Sequence, residues 1–128
     1  MIADSSAWVE FLRATGSEVD LRVDAALREG TLLVAEPVLM ELLYGARSRE
    51  EWLDIERVTH SCGFARAQSP TDWIEAAALR RRMRRAGRTI AGALDCLIAV
   101  VAMRLDAAVL HKDADFDAIA EVAPLRIA

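Results

Sequence analysis

Acids stand at four places in this chain where the surrounding residues are almost all apolar. Asp4 closes the run Met1-Ile2-Ala3, and Glu41 is the one charged residue of PVLMELLYGA, residues 37–46. Asp95 is the one carboxylate of GALDCLIAVVAMRL, residues 92–105, and Asp113 and Asp115 follow an apolar run in HKDADFD. At helical spacing Asp95 is flanked by Ala91, Gly92, Ile98 and Ala99, which predicts a buried face. An ionised carboxylate there must be paired, protonated or bound to a cation. Two carboxylates about 5 Å apart repel by about 3 kcal/mol at an effective dielectric near 20, so a gathered set needs compensation. Oxygen-only ligation with no paired histidines or cysteines suits Mg²⁺, with Mn²⁺ able to substitute, and not zinc. Plainer readings stand beside this one. Asp4 with Ser5-Ser6 also reads as a helix cap, Asp113 and Asp115 as turn acids, and Glu41 and Asp95 as partners of arginines brought in by the fold.

These acids need elements to position them. Residues 1–3 read as a buried strand, followed by a helix over 7–13. A second helix carries Val19, Val23, Ala26 and Leu27 on one face and closes at Gly30. A strand over 31–35 leads to the Glu41 helix, with Pro37 in its first turn. Ser48-Arg49-Glu50-Glu51 has a capping-box pattern and opens a helix to about residue 60. A weak strand over 64–67, a helix from Ser69-Pro70-Thr71-Asp72 to about 86, the Asp95 helix, a strand over 107–110, a short helix and a closing strand over 125–127 complete the order. Apolar strands alternating with helices predict a three-layer α/β/α sandwich on a central parallel sheet of four to five short strands. Sites in such sheets form beyond the carboxyl ends of the strands, where Asp4 and Asp113/Asp115 fall by direct count.

The 128 residues make one domain, 54% hydrophobic and 28% charged. No segment is apolar for long enough to span a membrane, and no leader pattern opens the chain, so a cytoplasmic protein is expected. Cys62 and Cys96 lack metal-ligand spacing and read as free thiols. His60 and His111 are too few and too isolated for zinc. Trp8, Trp52 and Trp73 fall beside apolar residues and read as core or dimer contacts. The net charge of −4 argues mildly against general nucleic-acid binding, but six of the 16 basic residues crowd into residues 80–88, RRRMRRAGR. Arg81, Arg84, Arg85 and Arg88 read either as a solvated face or as a track for an RNA backbone.

In order, MIADSSAW, PVLMELLYGA, LDCLIAVVA and VLHKDADFD resemble the PIN-domain ribonucleases, specifically the VapC toxins of bacterial VapBC toxin–antitoxin pairs, over essentially the whole chain. The resemblance implies Mg²⁺-dependent endonucleolytic cleavage of RNA. It implies Asp4 and Asp95 as primary metal ligands, with Glu41 and Asp113/Asp115 completing the site. Ser6 would bond an acid from behind. His111 departs from the Thr or Ser of many relatives. The resemblance also implies a homodimer neutralised by a VapB-type antitoxin, which would seat on apolar surface near Leu39-Leu42-Leu43 and the Trp52 helix. The different-class alternatives are a catalytically silent PIN-like protein-binding module and, further off, a phosphoacceptor domain, for which Lys112 is the one lysine.

Overall fold

The computed structural model describes residues 1–88, 91–112 and 114–128. Four strands form one parallel sheet: β1 (Ile2–Ala3), β2 (Leu33–Ala35), β3 (Gly63–Ala65) and β4 (Val109–Leu110), in the order β3-β2-β1-β4. Consecutive strand residues point to opposite faces, yet Ile2, Ala3, Val34, Ala35, Val109 and Leu110 are all buried. Both faces of the sheet are therefore covered, as a three-layer arrangement requires.

The helices among the described residues are α1 (Ser5–Leu12), α2 (Glu18–Glu29), α3 (Glu36–Tyr44), α4 (Arg49–His60), α5 (Thr71–Arg85), α6 (Ala93–Arg104) and α7 (Asp115–Ala120). Their ends follow local chemistry. Asp4 caps α1 and Ser17 caps α2, each side chain accepting a first-turn N–H. Gly30 ends α2 at φ +70°, a left-handed conformation that glycine adopts without a steric penalty. Ser48 Oγ accepts the Glu51 N–H at 3.1 Å, and the Glu51 carboxylate reaches back to the Arg47 N–H at 3.2 Å, so the capping signal is real, with its return bond one residue early.

The strands are shorter than the apolar runs that carry them. β3 spans 63–65 instead of 64–67, and the closing segment contributes one bridge, Val109 to Ile127, instead of a full strand. Of the three tryptophans, Trp8 alone is core. Trp52 and Trp73 are exposed, so of the two readings, core or dimer contact, the core one does not hold for either.

The strand order fixes where a site can form. β1 lies between β2 and β4, so the chain leaves β1 toward one side and enters β4 on the other. The crevice outside their carboxyl ends is the switch point of the sheet. Asp4 follows β1 and His111-Lys112 follow β4, one on each lip.

Candidate active site

Asp4 is 6% exposed and held from two sides. Its Oδ1 accepts the Ser6 hydroxyl at 2.6 Å and the Ala7 N–H at 3.0 Å. The Ser6 oxygen in turn accepts the Lys112 N–H at 2.9 Å, and the Asp4 N–H donates to the Leu110 carbonyl at 3.0 Å. One hydroxyl thus ties the end of β1 to the end of β4. The Lys112 ammonium pairs with Glu10 on α1, adding a second tie.

Asp95 and Glu41 are only half-buried, against the expectation of a sealed face. The reason is position. Asp95 sits in the first turn of α6, where the helix opens at the sheet edge, and its Oδ2 accepts the Gly92 N–H at 3.1 Å. Its helical neighbours Ala91, Ile98 and Ala99 are buried, so the carboxylate stands at the mouth of an apolar wall. Glu41 lies across from it on α3. Burial holds the Glu41 carboxyl above the usual glutamate range. The Ser5 hydroxyl works against that rise, and the negative charge of Asp95 adds to it. Ser5 stands beside Glu41 without meeting it in full hydrogen-bond geometry, and its buried Oγ makes no hydrogen bond among the described residues.

Asp4, Ser5, Glu41 and Asp95, from three separate parts of the sequence, therefore border one patch of the sheet edge. Asp115 begins α7 and is partly exposed, while Asp113 lies outside the described residues. Among the described residues no three His, Cys, Asp or Glu side chains are close enough to form a finished metal cage. The donor chemistry nevertheless fits a hard cation. The side chains are all oxygen donors, Glu41 feels repulsion from Asp95, and the buried Ser5 hydroxyl beside Glu41 makes no hydrogen bond among the described residues. Mg²⁺ would be held by Asp4 and Asp95, with Glu41 beside them.

His111 lies on the α7 side of the turn after β4. Its Nε2 lies 3.1 Å from Asp117 and its ring packs on Phe116 with centroids 5.6 Å apart, fastening the turn after β4 to α7. Arg81, Arg84 and Arg85 are exposed along α5, and Arg88, also exposed, pairs with Glu121.

One residue near the acids escaped the sequence reading as a site residue, Arg80. Arg80 is half-buried on α5, and its positive charge reaches the buried Cys96 thiol. Burial pushes that thiol up, Arg80 pulls it down and Asp95 pushes it up again. The signal was present in the spacing: Arg80 shares a helical strip with Ala76 and Met83, both core residues.

A cleft of about 510 Å³ runs from Ser5 and Glu41 between α1, α3 and α4, floored by Val9, Leu42 and Ile55. Of the apolar residues expected to line a partner groove, Leu42 does so. Trp52 borders a separate hollow with Arg47 and Arg49.

A family model described as PIN domain matches residues 1–122. The chain is 39% identical over 130 aligned residues to VapC ribonuclease Mb1587 of Mycobacterium bovis, and equally so to ribonuclease VapC11 of Mycobacterium tuberculosis. Each alignment spans 100% of this chain and 97% of the relative. Among solved structures, VapBC2 from Rickettsia felis bound to a promoter DNA fragment matches with a TM-score of 0.78 at 15% identity, covering 99% of this chain and 96% of that one. DNA-bound VapBC from Salmonella typhimurium gives 0.78 at 18%, covering 99% and 95%. At these identities the solved structures speak to the fold, and the sequence relatives and family model to descent. The chain belongs to the PIN-domain family, in its VapC branch.

Proposed function

We propose that this protein is the toxin of a VapBC-type toxin–antitoxin pair, and that it cuts RNA as a Mg²⁺-dependent endoribonuclease. The observation that carries the reading is the Glu41 carboxyl, raised by burial and by Asp95 at a sheet edge that also holds Asp4. Like charges gathered at a sheet edge repel, and a bound cation relieves that repulsion in a way that packing does not.

When bound, the cation would polarise a phosphoryl oxygen and make a water more acidic for in-line attack. The chain supplies the rest. Ser6 and the Ala7 N–H fix the Asp4 rotamer, and the Gly92 N–H fixes that of Asp95. Glu41, with its raised pKa, is suited to take a proton from an attacking water. Asp113 and Asp115 would complete the fourth corner. Attack by water leaves a 5′-phosphate and a 3′-hydroxyl and does not use the ribose 2′-hydroxyl.

Arg81, Arg84 and Arg85 lead the RNA backbone toward the acids. The cleft between α1, α3 and α4, floored by Val9, Leu42 and Ile55, takes an amphipathic helix of the antitoxin. Exposed Met40, Trp73 and Ile74 suit a homodimer contact. The working compartment is the cytoplasm.

The test is cleavage of a mixed RNA by wild type and Asp95→Asn, with Mg²⁺ or with EDTA. Wild type should cut only with the metal and leave 5′-phosphate ends, and Asp95→Asn should lose about 10²-fold or more while staying folded. Products ending in a 2′,3′-cyclic phosphate, or a mutant that still cuts, would overturn the assignment. A wild type that binds its antitoxin but cuts nothing would favour the silent binding module.

A further inference from the structure

Arg80 stands apart from the other arginines of α5. Arg81, Arg82, Arg84 and Arg85 are exposed, whereas Arg80 is half-buried on the strip that carries Ala76 and Met83 into the core. Its Nη1 is buried and makes no hydrogen bond among the described residues. A buried donor left unsatisfied costs about 1–3 kcal/mol, so a partner that satisfies it is favoured by a comparable amount.

Its height along the helix pair can be read from a clamp at the other end. Near the start of α5, Asp72 takes the guanidinium of Arg104 at the end of α6, with contacts of 2.9 to 3.2 Å, so the two helices run antiparallel. At about 1.5 Å per residue, Arg80 lies about 12 Å from the clamp along α5 and Asp95 about 13 Å from it along α6. The two are level.

We infer that the half-buried Arg80 guanidinium contacts the scissile phosphate of the RNA beside the acids, the side chain turning outward so that the unsatisfied Nη1 gains a phosphoryl oxygen. The inference rests on the ribonuclease reading and names a residue of that site. An incoming phosphate adds negative charge to a patch that already holds Asp4, Glu41 and Asp95. A guanidinium fork on the flank offsets that charge and orients the group, because its paired N–H donors match two phosphate oxygens. The exposed arginines of the ridge act at a distance from the reacting atoms. Arg80 acts on them.

The experiment compares wild type, Arg80→Gln, Arg80→Lys and Arg84→Gln. Single-turnover cleavage, metal-free binding of a fluorescein-labelled single-stranded RNA across a salt series, and Mn²⁺ calorimetry without RNA are measured, with circular dichroism to confirm folding. Arg80→Gln should lower kcat by about 10²–10³-fold with little change in KM. It should reduce the slope of log K against log salt by about 0.7 and leave Mn²⁺ binding at least as tight as in wild type. Arg80→Lys keeps the charge but not the fork, and should fall between the two. Arg84→Gln should reduce the salt slope and raise KM instead. An unchanged kcat and salt slope in Arg80→Gln, or a loss of Mn²⁺ affinity in step with kcat, would overturn the inference. Should Arg80→Gln fail to fold, a folded Arg80→Lys with wild-type kcat overturns it, and one with kcat reduced about tenfold supports it. Wild type that cuts no RNA with either metal removes the parent reading together with this one; wild type that cuts while both Arg80 variants match it removes this one alone.

Discussion

Glu41→Gln should stabilise the metal-free protein at neutral pH while removing its activity. Burial and Asp95 hold the Glu41 carboxyl above its unfolded value, so between the two values the native state keeps a proton that the unfolded chain has released. Stability therefore falls as pH rises through and above the glutamate range, and the deficit is fully present at neutral pH. Glutamine keeps the shape and removes the charge. Two unit charges about 6–8 Å apart at an effective dielectric of about 40–80 interact by about 0.5–1.4 kcal/mol. Because both side chains are half exposed, solvent screening places the gain at or below about 1 kcal/mol. In a domain of this size that raises Tm by about 2–5 °C. Chemical denaturation in EDTA between about pH 4 and pH 8 reads it directly: the mutant's advantage should shrink toward zero at the acid end. In the Asp95→Asn background the same substitution should gain less, because the repulsion it relieves is already gone. With Mg²⁺ the ranking should reverse, since wild type gains by mass action and Glu41→Gln gains less. A lower Tm for Glu41→Gln in EDTA at neutral pH, or an advantage undiminished at the acid end, refutes the electrostatic account of the site.

Asp72→Asn should cost about 2–3 kcal/mol by denaturation, below the 3–5 of a fully sealed pair because the Arg104 side chain stays 28% exposed. Burial alone would raise the Asp72 pKa, but Arg104 and the Gln68 N–H hold it below the usual range, so its contribution is present above that range and fades as pH falls through it. Ser6→Ala removes the bonds to Asp4 and from Lys112, and should cost about 1–2 kcal/mol in stability and about 10–100-fold in Mn²⁺ affinity by calorimetry. Reversing charge in Arg81→Glu/Arg84→Glu should flatten the salt dependence of RNA binding and leave Mn²⁺ affinity unchanged, and unchanged salt dependence would mean that the RNA runs elsewhere.

What could be read from the sequence were the features set by local spacing. Asp4 behind an apolar run is legible because strand, turn and helix start are all written within six residues, although the cap is Asp4 itself and the serines already belong to the helix. The apolar girth of α6 is legible for the same reason. Where long-range pairing decides, the reading slips. β3 begins at Gly63, which a local reading takes as punctuation, yet a side chain there would come within 2.9 Å of Leu33 Cδ2 on the paired strand. The glycine admits that close approach and so sets where the strand starts. Trp52 is an aromatic on an amphipathic helix, and it stays at the surface with its Nε1–H donating to Glu56 at 2.8 Å. Arg80 was hidden for a different reason. In a run of arginines, charge masks spacing, and only the core positions four before and three after it single it out.

The fold separates the strain of the acids from the bonds that hold their scaffold. α6 carries Asp95 in its first turn and Arg104 in its last, and Arg104 forks onto Asp72 and donates to the Arg66 carbonyl at 2.6 Å. Between these ends its residues are almost all buried, so the helix cannot shift to relieve the carboxylates without breaking core contacts. The repulsion between Glu41 and Asp95 is thus kept, not relaxed, and it remains available to favour a cation when one arrives. A looser α6 would let the acids drift apart, relieving their repulsion only at the cost of the core contacts and the clamp that hold the helix. It would also weaken the cation's hold, because the ion would first have to gather its ligands. Rigidity at the clamp and discomfort at the mouth are two ends of one helix, which is why stability and metal affinity should move in opposite directions for substitutions at Glu41 and in the same direction for substitutions at Asp72.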